Sequence, residues 1–231
     1  MRWRTLLGLA LAVGFMAPPV AQGQDTRPGI GVWILENGGS YGQDAEDFEA
    51  LRVGLQQILM TELARNPAMR VVERSQLNAL IAEQDLGAAG RVDPETAARV
   101  GRIVGAKFMV LGGFVDWFGD FRLDARIVDC ETTEIIVAIG LRERREELYQ
   151  LIVDLTGRLT NDVNLPSLDI EAELEEQARE IPVDALTLFS RAVFFEDRGD
   201  SERAKEFYTR ARNVFPDYTE ATERLQQLGG V

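Results

Sequence analysis

The sequence predicts an α/β (α+β) sandwich: a mixed sheet with a three-stranded antiparallel meander flanked by helices, followed by a small all-α module. Three observations predict it. Residues 108–115 (Phe-Met-Val-Leu-Gly-Gly-Phe-Val) form an almost uninterrupted apolar run, the pattern of a central strand covered on both faces. After it, Phe121, Leu123, Ala125 and Ile127 alternate with Arg122, Asp124 and Arg126, as in a strand with one wet face. Beyond Pro182 the apolar residues fall three and four apart in two successive segments, the spacing of paired helices.

The elements are taken in order. Arg2 and Arg4, the apolar residues 6–16 and the small residues around Ala21-Gln22-Gly23 predict a secretory leader over residues 1–23, cleaved after Gly23. The apolar centre is about half of the roughly 20 residues a spanning helix needs, and no later stretch comes closer, so the mature chain is expected to have no transmembrane helix. Residues 30–35 are the first strand, and the glycine-rich residues 36–42 after it read as a connection. That loop has neither the glycine spacing nor the Lys-Ser/Thr pair of a nucleotide site. Phe48, Leu51, Leu55, Ile58, Leu59 and Leu63 mark one helix face, ended by Asn66-Pro67. Val71-Val72 is a short strand, and Ser75 is read as the cap of a helix carrying Leu77, Leu80 and Ile81. Residues 84–90 form a loop. Asp93-Pro94 starts a further helix that buries Ala97, Val100, Gly101 and Val104 and stops at Gly105, with Gly101 expected to allow close approach to a neighbour.

The turns 117–120 and 129–134 separate the strands of the meander, and the mixed-charge residues 142–147 are expected to be a solvated face. Leu148, Leu151, Ile152, Leu155 and Leu159 then mark a long helix over the sheet. The expected domain boundaries are 28–163 for the α/β domain, 164–182 for an acidic linker or helix, and 183–228 for the helical module. In that module, two helices pair across Gly199-Asp200, and a third, shorter one carries Leu225 and Leu228.

Composition excludes several functions. The chain has no histidine, so there is no imidazole base, no histidine-assisted nucleophile and no histidine metal site. Cys130 is the only cysteine. It rules out an internal disulfide, lies far from the leader cleavage site where a lipidated first cysteine would stand, and sits between Asp129 and Glu131, which disfavour a thiolate. Removing Arg2 and Arg4 with the leader takes the net charge from −13 to −15, which argues against nucleic acid and anionic membrane surfaces as partners through a basic patch. Asp116, Asp120, Asp124 and Asp129 lack the spacing of a calcium loop, and no pair of carboxylates stands out among the 38 acidic residues. No cofactor, metal or catalytic residue is assigned.

Arg70-Val71-Val72-Glu73-Arg74-Ser75-Gln76-Leu77, Ala82-Glu83-Gln84-Asp85-Leu86-Gly87, residues 97–106 leading into Val110-Leu111-Gly112, and Ile127-Val128-Asp129 together resemble the CsgG family of bacterial cell-envelope proteins. The activator lipoprotein of penicillin-binding proteins and the amino-terminal domain of TolB have related folds. The resemblance covers roughly residues 28–163 and implies a periplasmic domain that recognises cell-envelope proteins. The chain departs from the curli channel of that family, having no lipidation cysteine and turns too short to hold inserted spanning strands of about 9–11 residues each. The strand 121–128 with its partner is the one candidate for a membrane hairpin, but the sheet needs both strands for its own core. Ala192, Gly199, Ala204, Tyr208, Ala211 and Pro216 resemble a tetratricopeptide repeat, with Leu188 in a usual place and Arg191 replacing a usual leucine. That resemblance implies that Leu186, Phe189, Val193, Glu196 and Asp197 face a partner, a basic or apolar segment. Otherwise Phe189 and Val193 pack on the acidic linker or the first domain. The resulting expectation is a non-enzymatic periplasmic binding or assembly protein. The alternatives are an oligomeric outer-membrane secretion component and, less favoured, a carboxylate hydrolase. Self-association is left open.

Overall fold

The computed structural model describes residues 25–42, 45–83, 92–163 and 179–229. The leader, the loop 84–90 with part of the resembling stretch 82–87, and residues 164–178 of the acidic linker lie outside the described residues. In order the elements are β1 (Gly29–Val32), β2 (Glu36–Asn37), α1 (Ala45–Ala64), β3 (Arg70–Val71), α2 (Arg74–Glu83), α3 (Pro94–Ile103), β4 (Phe108–Trp117), β5 (Asp120–Asp129), β6 (Ile135–Arg144), a single 3-10 turn (Arg145–Glu147), α4 (Leu148–Asp162), α5 (Val183–Asp197), α6 (Ser201–Val214) and α7 (Thr219–Gln227).

The sheet order is β3-β1-β4-β5-β6, with β2 also on β4. The apolar run chosen as the central strand is β4. It takes β1 and β2 as parallel partners, Ile30 opposite Phe108 and Glu36 opposite Gly113, and β5 as an antiparallel partner from Phe108↔Asp129 to Trp117↔Asp120. Alternation divides the side chains. Phe108, Val110 and Phe114 with Phe121, Leu123, Ala125 and Ile127 face α1, α4 and the carboxy-terminal helices, in one continuous apolar core. Met109, Leu111 and Val128 face α2 and α3 in a smaller one. Beyond Leu111 this second face opens into a cleft of about 650 Å³ lined by Val115, Arg122, Asp124, Ala138 and Gly140.

Local chemistry explains most boundaries. The Asp93 carboxylate accepts from Thr96 N at 2.8 Å with Pro94 in the first helical turn, and α3 ends at Gly105, whose φ of +71° suits glycine. A side chain at Gly101 would meet Cys130 Sγ and lie 2.8 Å from Met109 Cγ, so the close approach expected there is to the sheet and its turn rather than to a neighbouring helix. The helix α2 starts at Arg74, which puts Ser75 inside its first turn instead of at the cap.

Two further expectations need correcting. The glycine-rich loop is not a plain connection. Asn37 Oδ1 accepts from Gly39 N, Ser40 N and Ser40 Oγ, Ser40 Oγ accepts from Asp116 N at 3.0 Å, and Tyr41 bridges to Trp117, so the loop is stitched to the end of β4. Nor is the charged run 142–147 wholly solvated. The strand β6 continues through Arg144, and Arg145 then turns inward to pair with Asp116, which is completely buried.

The helices α5, α6 and α7 pack onto the α/β layer through α1. At the crossing of α1 and α5, Gly54 lies so close to Ser190 that a Cβ on residue 54 would sit 2.7 Å from the Ser190 Cα. Ser190 is fully buried and its hydroxyl donates to the Leu186 carbonyl at 2.8 Å. Inside the hairpin Phe189 stacks on Tyr218 at 4.9 Å and meets Tyr208 edge-on at 5.4 Å. Arg191 pairs with Asp47 on α1, and Arg179 is held by both oxygens of Glu220.

Candidate functional site

Of the five residues that sequence reasoning turned toward a partner, Leu186, Phe189 and Val193 are buried in the core shared with α1, and Glu196 and Asp197 stand at its edge. The inward placement follows from Gly54, which lets α5 lie flat on α1 and bury its second face. Glu196 and Asp197, at the end of α5, border a cleft of about 790 Å³ between α1, the start of α2 and α7.

The cleft is built from paired charges on elements distant in sequence. Arg74 Nη1 donates to Asp197 Oδ2 at 2.6 Å, and Arg224 on α7 lies 3.5 Å from Glu196. The Tyr208 hydroxyl also donates to Glu196, at 2.5 Å, which fixes that carboxylate at the rim. Arg74 is nine-tenths buried and its Nε has no hydrogen-bond partner. Gln56, fully buried behind Asn78, donates from Nε2 to the Val32 carbonyl at 2.8 Å and to Asn78 Oδ1 at 3.2 Å, leaving its Oε1 without a donor. Gln56 lies beneath the lining of the cleft, so the Arg74 N–H is the unmatched group at the cleft itself. A peptide carbonyl would satisfy it, and leaving such a donor desolvated costs about 1–3 kcal/mol. Sequence reasoning missed the place of Arg74 in the cleft, because it depends on Asp197 on α5, far along the chain.

Burial, with the neighbouring Glu196 charge, raises the Tyr208 hydroxyl well above its ordinary range, and burial with Glu62 does the same for Tyr149. A raised folded pKa means stability that is complete below the unfolded value of about 10 and lost as pH rises beyond it. Alkaline unfolding should therefore begin above about pH 10, and Tyr208→Phe should flatten the decline by about 1.4 kcal/mol per pH unit, as read from urea midpoints across the alkaline range.

Elsewhere the aspartates along the meander are engaged in structure. Asp120 pairs with Arg142, Asp124 with Arg122, and Asp129 Oδ1 accepts from Glu131 N and Thr132 N in the β5–β6 turn. Burial first, and then the Asp129 charge, pushes the Cys130 thiol up to about 11, away from a thiolate nucleophile. Among the described residues no cluster of three or more Cys, Asp or Glu is placed to hold a metal ion. Among them, too, no helix is long and apolar enough to cross a membrane.

Residues 22–118 match the family model described as the curli production assembly/transport component CsgG. This segment is CsgG-like. It holds β1 to β4 and α1 to α3. The CsgG-like match ends at Phe118, so β5, β6, α4 and the carboxy-terminal helices lie outside it. No curated protein matches the chain. Among solved structures, the LpoB carboxy-terminal domain from Salmonella enterica is 23% identical over 54% of this chain and 87% of its own, at a TM-score of 0.37. TolB from Acinetobacter baumannii is 14% identical over 72% of this chain and 31% of its own, at 0.36. A PelC dodecamer from Paraburkholderia phytofirmans is 10% identical over 61% of this chain and 90% of its own, at 0.39.

Proposed function

We propose that the chain is a non-enzymatic binding and assembly component of the bacterial cell envelope, exported to the periplasm by its leader and acting through protein contact. The observation that carries this reading is the match of residues 22–118 to a curli assembly and transport family. The cleft supports it, since the buried guanidinium N–H of Arg74, left without a partner, suits the carbonyl of an extended peptide segment, and the carboxylates of Glu73, Glu196 and Asp197 favour a neutral or basic one. The packing of β5 supports it over a channel built from the meander, because Phe121, Leu123, Ala125 and Ile127 are committed to the core under α4.

A photocrosslinking amino acid at Asp197 tests the reading in intact envelopes. It should give a discrete adduct that is lost in an Arg74→Glu background, while the same probe at Glu202 on the far side of α6 gives none. Identical adduct patterns at both positions would contradict a role for the cleft. A ring-sized light-scattering mass that requires detergent would support the channel instead.

A further inference from the structure

The geometry points to a second functional surface, independent of the cleft: we propose that Tyr41, Trp117 and Phe118 form a bilayer-interface anchor at the tip of the β4–β5 hairpin. The first observation is conformational. The hairpin turns in two residues, Phe118 and Gly119, with φ of +54° and +94°. Positive φ at both central residues defines the turn type that favours Asn-Gly, and a bulky aromatic at the first position is a steric outlier. Strain of this kind persists where it serves a purpose.

The second observation is exposure. Phe118 is 72% exposed, Trp117 58% and Tyr41 54%, yet the three rings contact one another, with Tyr41 and Trp117 edge-on at 5.0 Å and Trp117 and Phe118 at 5.9 Å. Their position is fixed from beneath. Phe118 N donates to the Tyr41 carbonyl and Tyr41 N to the Asp116 carbonyl, while buried Asp116 accepts from Gly119 N at 2.8 Å and pairs with Arg145. An exposed aromatic group on so rigid a support is preorganised to bind.

The occupant follows from size and charge. Rings of this size at these exposures present roughly 350–400 Å² of apolar surface, well short of the ~800 Å² that each partner of a stable protein pair buries. The rings line neither cleft, so a second copy or a folded partner would have only this small tip to hold. A bilayer interface sets no such minimum, and Trp and Tyr concentrate there. Beside the turn the exposed Arg142 and Arg144 are held in ion pairs with Asp120 and Glu147, so the tip carries no free basic patch and the rings alone make the contact, as suits a neutral lipid surface.

Flotation with phosphatidylcholine vesicles, with and without phosphatidylglycerol, tests this on the full chain lacking only the leader. The chain should float with the vesicles, and its tryptophan emission should shift to the blue. Trp33 is already buried, so the shift reports Trp117. Phe118→Asn suits the turn and should melt at the same temperature or higher, yet lower the floated fraction roughly fivefold or more, as should Trp117→Ser. A chain that stays at the bottom with both vesicle types, or a Phe118→Asn variant that floats as well as the unaltered chain, overturns the proposal.

Discussion

Gly54→Leu should dislodge the carboxy-terminal helices and unfold the protein at markedly lower urea. Helix propensity alone favours the change by about 1 kcal/mol, because glycine is a poor helix former. Packing decides the sign. The Ser190 Oγ and Cβ face residue 54 first, but the Ser190 Cα lies only 2.7 Å away behind them, part of the α5 backbone, which cannot rotate out of the way as a side chain would. Overpacking that side chains can absorb costs about 1–3 kcal/mol, and here α5 itself must move, so a loss above about 3 kcal/mol is expected. The rest of the interface would go with it, since Leu186, Phe189 and Val193 share one core with α1. Limited proteolysis should cut near residue 180 in Gly54→Leu and spare the unaltered chain. Gly54→Ala should show a smaller loss that Ser190→Gly partly recovers, a coupling expected of touching residues. An unchanged urea midpoint in Gly54→Leu would mean that the helices are not seated as described.

Asp116→Ala should cost about 3–5 kcal/mol, the range for a buried charge left without its partner. Asp116 is completely buried and Arg145 nearly so, and Arg145 Nη2 already lacks an acceptor. For a chain of this size the loss corresponds to roughly 10 °C in melting temperature. Asp116→Asn should cost less, because an amide oxygen can still accept from Gly119 N. Replacing both Asp116 and Arg145 with apolar residues should restore much of the stability. Equal melting of Asp116→Ala and the unaltered chain would show that the pair is solvated in solution.

The two predictions mark the limit of what the sequence made legible. Whatever announces itself through periodicity could be read: the unbroken apolar run of β4, the alternation of β5, the face of α1, the Asp93-Pro94 start of α3 and the three terminal helices. Each of these is a local pattern. The Gly54–Ser190 crossing, the Asp116–Arg145 pair and the Arg74–Asp197 pair are meetings between residues that nothing nearby distinguishes, one glycine among 21 and single carboxylates among 38 acidic residues. The same gap explains the outcome at Leu186, Phe189 and Val193. Their helical spacing showed that a face would be covered and left open whether a partner or the first domain covers it; α1 of the first domain is what lies against it. In the glycine-rich loop the missed signal was Asn37, whose side chain organises three donors in place of a regular strand.

The pairing of β1 with residues 108–110, and of α1 with Ser190, also sets the order in which this polypeptide can become rigid. Before β4 is made the first strand has only the two residues of β3 to pair with, and the first helix lacks its closest neighbour until most of the chain exists. Contacts across such separations close slowly, after the entropy of long loops has been overcome. Under the export proposed above, that delay would keep the leading segment pliable in transit, and the last helices to arrive would be the ones that lock it.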